Sequence, residues 1–189
     1  MKTIYLILGA IGSGKSTLAE SLGLKLNVDF VSSDLYKKVY FNNYATLSTG
    51  YRKADLLVKF KLSMNCQNAV SFIYELCPTN LEKILTITEL KKKYSYRIIS
   101  FIIGTDSSQV NINRTKKRIQ VENADFVAVD KVVSRYDLTF ENLPQLISIS
   151  DENYFIDNTD FFKVVGYMKN TKLHLFNKSN WLSNLLIKK

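Results

Sequence analysis

Near the amino terminus the chain reads Gly9-Ala10-Ile11-Gly12-Ser13-Gly14-Lys15-Ser16-Thr17, which fits G-x-x-x-x-G-K-[ST]. These residue types at this spacing form a phosphate-binding loop. Backbone N–H groups of a glycine-rich turn, together with a helix N-terminus, converge on phosphate oxygens. Gly12 and Gly14 let the backbone come close without a Cβ. Lys15 directs a positive charge at the terminal phosphates, and Ser16 or Thr17 offers a hydroxyl to Mg²⁺. The motif needs a strand before it and a helix after it. Ile4–Leu8 reads as a buried strand, and Leu18, Leu22 and Leu26 recur at helical spacing.

In a parallel α/β sheet ligands gather at the carboxyl ends of strands, so polar residues at those ends are the next candidates. Asp34 follows the second predicted strand, on the side where a terminal phosphate would lie. It is a candidate base for a substrate hydroxyl, or a helix cap that Ser32 or Ser33 supplies equally well. Glu75 follows Phe72-Ile73-Tyr74. It is a ligand for a substrate hydroxyl, an anchor for Mg²⁺-bound water, an arginine's partner, or a rim carboxylate. No strand ends in an unambiguous metal-binding aspartate, so Asp34 and Glu75 share that role as candidates. Arg114 and Arg118 lie one turn apart and read either as a clamp on transferring phosphate or as a solvated face. Arg135 has the same two readings. His174 is the only histidine and falls in a segment that reads as a surface hairpin.

The elements that must position these groups alternate. Strands are predicted at Ile4–Leu8, Asp29–Ser32, Val70–Leu76, Ile98–Ile103 and Tyr154–Ile156. Helices are predicted from Lys15, through Ala54–Ala69, from a Thr79-x-x-Glu82 capping box to Lys93, over 107–120, and over Val129–Leu143. Phe162–Phe176 reads as a terminal hairpin turning at Lys169-Asn170. Lys37–Gly50 is the least regular stretch and reads as a lid or substrate loop. The expectation is an α/β chain, the three-layer sandwich of P-loop NTPases. It has a five-stranded, mostly parallel sheet and a C-terminal hairpin, in one domain over residues 1–189.

Bulk composition narrows the classes. The chain has 189 residues, 46% of them hydrophobic and 23% charged, as in ordinary globular proteins. No apolar run nears the ~20 residues of a membrane span, and the first strand begins too early for a signal peptide. Cys66 and Cys77 read as thiols of a reducing cytosol, giving neither a disulfide framework nor a zinc site, so a cytoplasmic location is expected. The net charge of +9 favours anionic ligands, yet no basic stripe interleaved with aromatics points to nucleic acid.

Taken in order, several segments carry a resemblance. They are the phosphate loop, Val31-Ser32-Ser33-Asp34, Ser71-Phe72-Ile73-Tyr74-Glu75, Arg114-x-x-x-Arg118, Lys131-Val132-Val133-Ser134-Arg135-Tyr136, Glu141-Asn142-Leu143 and Tyr154-Phe155-Ile156-Asp157-Asn158-Thr159. The series resembles the zeta toxin-like group of small P-loop kinases, particularly its bacterial predicted ATPase or kinase branch. The resemblance implies ATP-dependent phosphorylation of a hydroxyl on a small molecule such as UDP-N-acetylglucosamine. It also implies a small antitoxin as protein partner in some members. By that resemblance Gly9, Gly12, Ser13, Gly14, Lys15, Ser16 and Thr17 hold ATP, with Ser16 on Mg²⁺. Asp34 is the base, Glu75 and Arg135 bind substrate, Arg114 or Arg118 clamps phosphate, and Asp157-Asn158 lie near the base or ribose. One segment departs. Where the branch usually shows Gly-Gly-His and then Val-Pro, this chain has Asn123-Ala124-Asp125-Phe126-Val127-Ala128, which bears on the acceptor and the clamp rather than on ATP. A nucleoside, polynucleotide or other metabolite kinase fits the same loop, as does an ATP-binding interaction protein with degraded catalysis.

Overall fold

A computed structural model describes residues 1–41, 47–122 and 125–187. In chain order the elements are β1 (Thr3–Gly9), α1 (Lys15–Leu26), β2 (Asp29–Val31), α2 (Ser33–Tyr40), α3 (Leu47–Gln67), β3 (Phe72–Leu76) and α4 (Leu81–Tyr94). They continue with β4 (Arg97–Gly104), α5 (Ser108–Glu122), α6 (Val129–Ile149), β5 (Glu152–Asp157), β6 (Lys163–Lys169), β7 (Lys172–Leu175) and α7 (Asn180–Ile187).

The sheet runs β2-β3-β1-β4-β5-β6-β7. Pairings from β2 through β5 are parallel, and β5–β6 and β6–β7 are antiparallel. Seven described strands replace the expected five. The terminal hairpin forms as expected, but β6 takes up the open edge of β5 and extends the sheet. Pairing satisfies backbone groups that an edge would leave open.

Side-chain alternation sorts the core. Ile4, Leu6 and Leu8 of β1, Phe72, Tyr74 and Leu76 of β3, and Ile98 and Ile102 of β4 pack with residues of α3, α4, α6 and α7 on one face. Ile7, Ile73 and Ile103 pack with Ala19, Leu18 and Leu22 of α1 on the other. Strands covered on both faces read as continuous apolar runs, which is why β1 and β4 were visible in the sequence.

Local chemistry moves several boundaries. Helix α4 is capped by Asn80, whose side chain accepts from the Lys83 amide at 3.1 Å, so the Thr79 capping box is not used. Glu82 pairs instead with Lys59 of α3 at 2.8 Å. Helix α6 continues through Pro144 to Ile149, with Leu146 fully buried. Lys37–Tyr40 and Leu47–Gly50 are helical, so most of the expected irregular stretch belongs to α2 and α3. The rest of that stretch, 42–46, lies outside the described residues, as do Asn123 and Ala124 of the departing segment.

The register sets the site. Gly9 pairs with Ile103, Ile7 with Glu75, and Gly104 with Asp157. Residues from β1, β3, β4 and β5 therefore end along one edge of the sheet, the edge where the phosphate loop begins.

Candidate functional site

The loop after β1 leads into α1 without a side-chain cap. Gly14 is the N-cap, at φ 100°, and no side chain bonds the first-turn amides. Those N–H groups and the positive end of the helix are left for an anion. Gly12 is also left-handed, at φ 76°, and a Cβ there would meet the Asn111 carbonyl oxygen at 2.8 Å. At Gly14 a Cβ would meet Asn158 Nδ2 at 2.6 Å, so neither glycine can carry a side chain without movement. Gly9 is tight against the Ile103 carbonyl in the same way.

The loop carbonyls are held from outside. Lys15 is 7% exposed, and its Nζ donates to the Ala10 carbonyl at 2.9 Å, across the turn. Asn111 of α5 donates through Nδ2 to the Ile11 carbonyl at 2.7 Å. Asn158, just after β5, donates through Nδ2 to the Ser13 carbonyl at 2.8 Å. Ser13 Oγ is buried without a hydrogen-bond partner among the described residues.

Ser16 and Glu75 meet. Ser16 Oγ lies 3.0 and 3.2 Å from the two Glu75 carboxylate oxygens and donates to them. Thr17 is exposed, so Ser16 is the loop hydroxyl that faces an acid. Glu75 is 7% exposed and is not a rim carboxylate. Burial pushes its carboxyl above the ordinary range. Lys15 opposes this, the Asp34 charge adds to it, and the Ser16 and Ser32 hydroxyls pull it back down.

Asp34 is exposed in the first turn of α2. Ser32 is that helix's N-cap, accepting from the Leu35 amide at 3.4 Å, so the capping role falls to Ser32. Tyr51 of α3 belongs to the same neighbourhood. Burial raises its phenol, the Asp34 and Asp125 charges raise it further, and Arg135 opposes them. Lys37 of α2 is buried and bonds both Asp125 oxygens at 2.8 and 2.7 Å, tying α2 to the segment before α6. Asp125, at the position of the departing segment, is thus one half of an ion pair.

The arginines separate. Arg114 is half-buried and donates to the Thr159 carbonyl at 3.0 Å, next to the β5 end. Arg118 is exposed one turn further along α5, and Arg135 is half-buried on α6. Asp157 is engaged within the scaffold. Its Oδ1 accepts from the Thr159 amide at 2.8 Å and its Oδ2 from the Ser179 hydroxyl at 2.6 Å. A cavity of about 230 Å³ lies beside it, lined in part by Asp106, Asp157, Thr159, Asp160 and Lys178.

The fold therefore brings Lys15, Ser16, Glu75 and Asp34 to one place, with Asn158 against the loop and Arg114 near it through Thr159. His174 is exposed on β7, away from these residues in the sheet order. Sequence reading missed Asn111, Tyr51 and the Lys37–Asp125 pair. Asn111 lies one turn before Thr115, whose hydroxyl crowds Gly12, but that meeting needs α5 folded against the loop.

The residues fit a nucleotide and a divalent cation on two observations: loop glycines where a Cβ would collide, and a hydroxyl–carboxylate pair of hard oxygen donors beside the buried Lys15. Among the described residues no group of three or more His, Cys, Asp or Glu is placed to hold a metal ion. No described helix is long and apolar enough to cross a membrane.

Comparison with known proteins agrees in fold. No family model matches the chain. A cytidylate kinase 1 of Borreliella burgdorferi is 25% identical over 173 residues, which is 91% of this chain and 64% of that protein. The chain thus spans less than two thirds of the curated relatives it matches. Among solved structures, AvrRxo1-ORF1 in its complex with ORF2 and ATP superposes with a TM-score of 0.74 at 12% identity, covering 100% of this chain and 63% of that one. The PezAT toxin-antitoxin system of Streptococcus pneumoniae superposes at 0.59 and 16% identity, covering 85% and 70%. These likenesses establish an α/β fold like that of P-loop kinases, and the resemblance to zeta toxins holds at that level.

Proposed function

We propose that residues 1–189 act as one P-loop kinase-like unit that moves the γ-phosphoryl group of ATP onto a hydroxyl of a small molecule. The observation that carries this reading is the Ser16–Glu75 pair at the mouth of an uncapped helix, next to the buried Lys15. Loop amides and Lys15 hold the phosphates of ATP. Ser16 and Glu75 would hold Mg²⁺, the serine hydroxyl as an oxygen ligand and the Glu75 carboxylate as the acid beside it. Magnesium, when bound, neutralises phosphate charge. Asp34 accepts the proton of the acceptor hydroxyl as the O–P bond forms. The bond between the γ-phosphorus and the bridging oxygen breaks, and ADP leaves with that oxygen. Arg114 or Arg118 meets the developing phosphoryl charge, and Arg135 lies on the acceptor side with Asp34 and Tyr51. An antitoxin-like protein partner fits this reading through the likeness to AvrRxo1 and PezAT, both solved with partner proteins.

The test is ADP release with a panel of nucleosides, nucleoside monophosphates, sugars and nucleotide sugars, alongside calorimetric ATP binding. Acceptor-dependent ADP release is expected, and Lys15→Ala is expected to abolish it and weaken ATP binding. If Lys15→Ala binds ATP as tightly as the parent, the loop assignment fails. A second reading, a nucleoside monophosphate kinase, draws on the identity to a cytidylate kinase, and preferential use of cytidylate would select it.

A further inference from the structure

We infer that Asn111 is a positioning residue that sets the shape of the phosphate loop from α5, with Thr105 fixing which end of its carboxamide faces the loop. This inference rests on the phosphate-binding reading of residues 9–17. Asn111 is 0% exposed. Its two side-chain atoms are both committed. Nδ2 donates to the Ile11 carbonyl at 2.7 Å, while Oδ1 accepts from Thr105 Oγ1 at 2.6 Å. Thr105 is also 0% exposed, and its own carbonyl accepts from Tyr136 OH at 2.6 Å. The chain Tyr136–Thr105–Asn111–Ile11 therefore runs from α6, through the β4 end and α5, into the loop.

A carbonyl and the next amide share one plane, so a bond that holds a carbonyl outward also aims the following N–H. The Ile11 carbonyl is held by Asn111, which aims the Gly12 N–H. The Ser13 carbonyl is held by Asn158, which aims the Gly14 N–H. Both aimed amides belong to the left-handed glycines. The same α5 turn leaves no room for a Cβ at Gly12, which would meet the Asn111 carbonyl and the Thr115 hydroxyl. Asn111 lies three residues before Arg114 on the same helix, which couples loop geometry to the arginine helix. An aspartate at 111 has no donor for Ile11. It would set a carboxylate against a carbonyl and distort the loop where phosphate must sit.

The probe is inorganic tripolyphosphate with Mg²⁺, because it reads the loop without any base, ribose or acceptor. Binding is measured by calorimetry on the full chain, well below its melting temperature. The expected result is a loss of about tenfold or more in tripolyphosphate affinity for Asn111→Asp, and a smaller loss for Thr105→Val. Thr105→Val added to Asn111→Ala should cost no further affinity, since Thr105 acts through Asn111. A merely structural role would lower the melting temperature and leave affinity at low temperature unchanged. If Asn111→Asp fails to fold, Thr105→Val decides alone. Parental tripolyphosphate affinity in the folded variants overturns the inference and leaves the kinase reading intact. Failure of the parent itself to bind tripolyphosphate or ATP overturns the phosphate-loop reading and the inference with it.

Discussion

Asp34 is where one side chain decides between two chemistries. With Ser32 capping α2, the Asp34 carboxylate is left exposed beside Glu75 and Tyr51. Asp34→Asn keeps size and hydrogen bonding but cannot take a proton. Phosphoryl transfer is expected to fall by roughly 10²-fold or more with ATP affinity retained, measured as acceptor-dependent ADP release beside calorimetry. A parental transfer rate would remove Asp34 as base and turn attention to Glu75. The two arginines of α5 are expected to divide. Arg114 is engaged with the Thr159 carbonyl, so its alanine variant should chiefly lower the melting temperature. Arg118→Ala should slow turnover by about 10³-fold if it is the clamp, read under saturating ATP. Parental turnover in both variants would move the clamp to Arg135. The phosphate loop was legible because all its parts lie within nine consecutive residues. Asn111 was not, and Asn158 was expected near the base or ribose rather than on a loop carbonyl, because their loop partners lie 100 and 145 positions away and only the β4 and β5 crossovers bring them back.

At the scale of elements, the five expected strands and the terminal hairpin were legible, but the joining of that hairpin to the sheet was not. Strands β1 and β4 announce themselves as apolar runs. Helix α7 did not stand out, although Trp181, Leu182 and Leu185 are buried at helical spacing, since a single turn of apolar residues after a hairpin also reads as strand. The β6–β7 turn makes an element-level prediction. Asn170 and Thr171 sit at φ 48° and 65°, the pair of left-handed residues that a two-residue hairpin needs. Asn suits that region, whereas a β-branched threonine is strained there. Thr171→Gly should therefore stabilise the chain by about 1 kcal/mol. That corresponds to a rise of roughly 2–4 °C in melting temperature by calorimetry. An unchanged or lower value would mean that the hairpin already relieves the strain, for instance through the Thr171 hydroxyl bond to the Asn170 carbonyl.

Across the whole molecule, stability should depend on pH through carboxylates shifted in opposite directions. Burial raises Asp151, but the Ile98 amide and Lys91 outweigh it and hold its carboxyl below the ordinary range. Such a group stabilises the fold above its unfolded value, and that contribution is lost as pH falls through the folded value. Glu75 runs the other way. Its folded value is raised, first by burial, so its proton is held more tightly in the fold than in the unfolded chain. Its favourable contribution is complete below the ordinary glutamate value and is lost as pH rises toward the raised one. Glu75→Gln removes that dependence and keeps a partner for the Ser16 hydroxyl. The melting temperature of Glu75→Gln, relative to the parent, should therefore climb as pH rises above the ordinary glutamate range. Asp151→Asn should show its deficit at neutral pH and converge on the parent in acid. Parallel pH profiles for Glu75→Gln and the parent would mean that Glu75 is ionised alike in both states, with Lys15 and the two hydroxyls offsetting its burial in full.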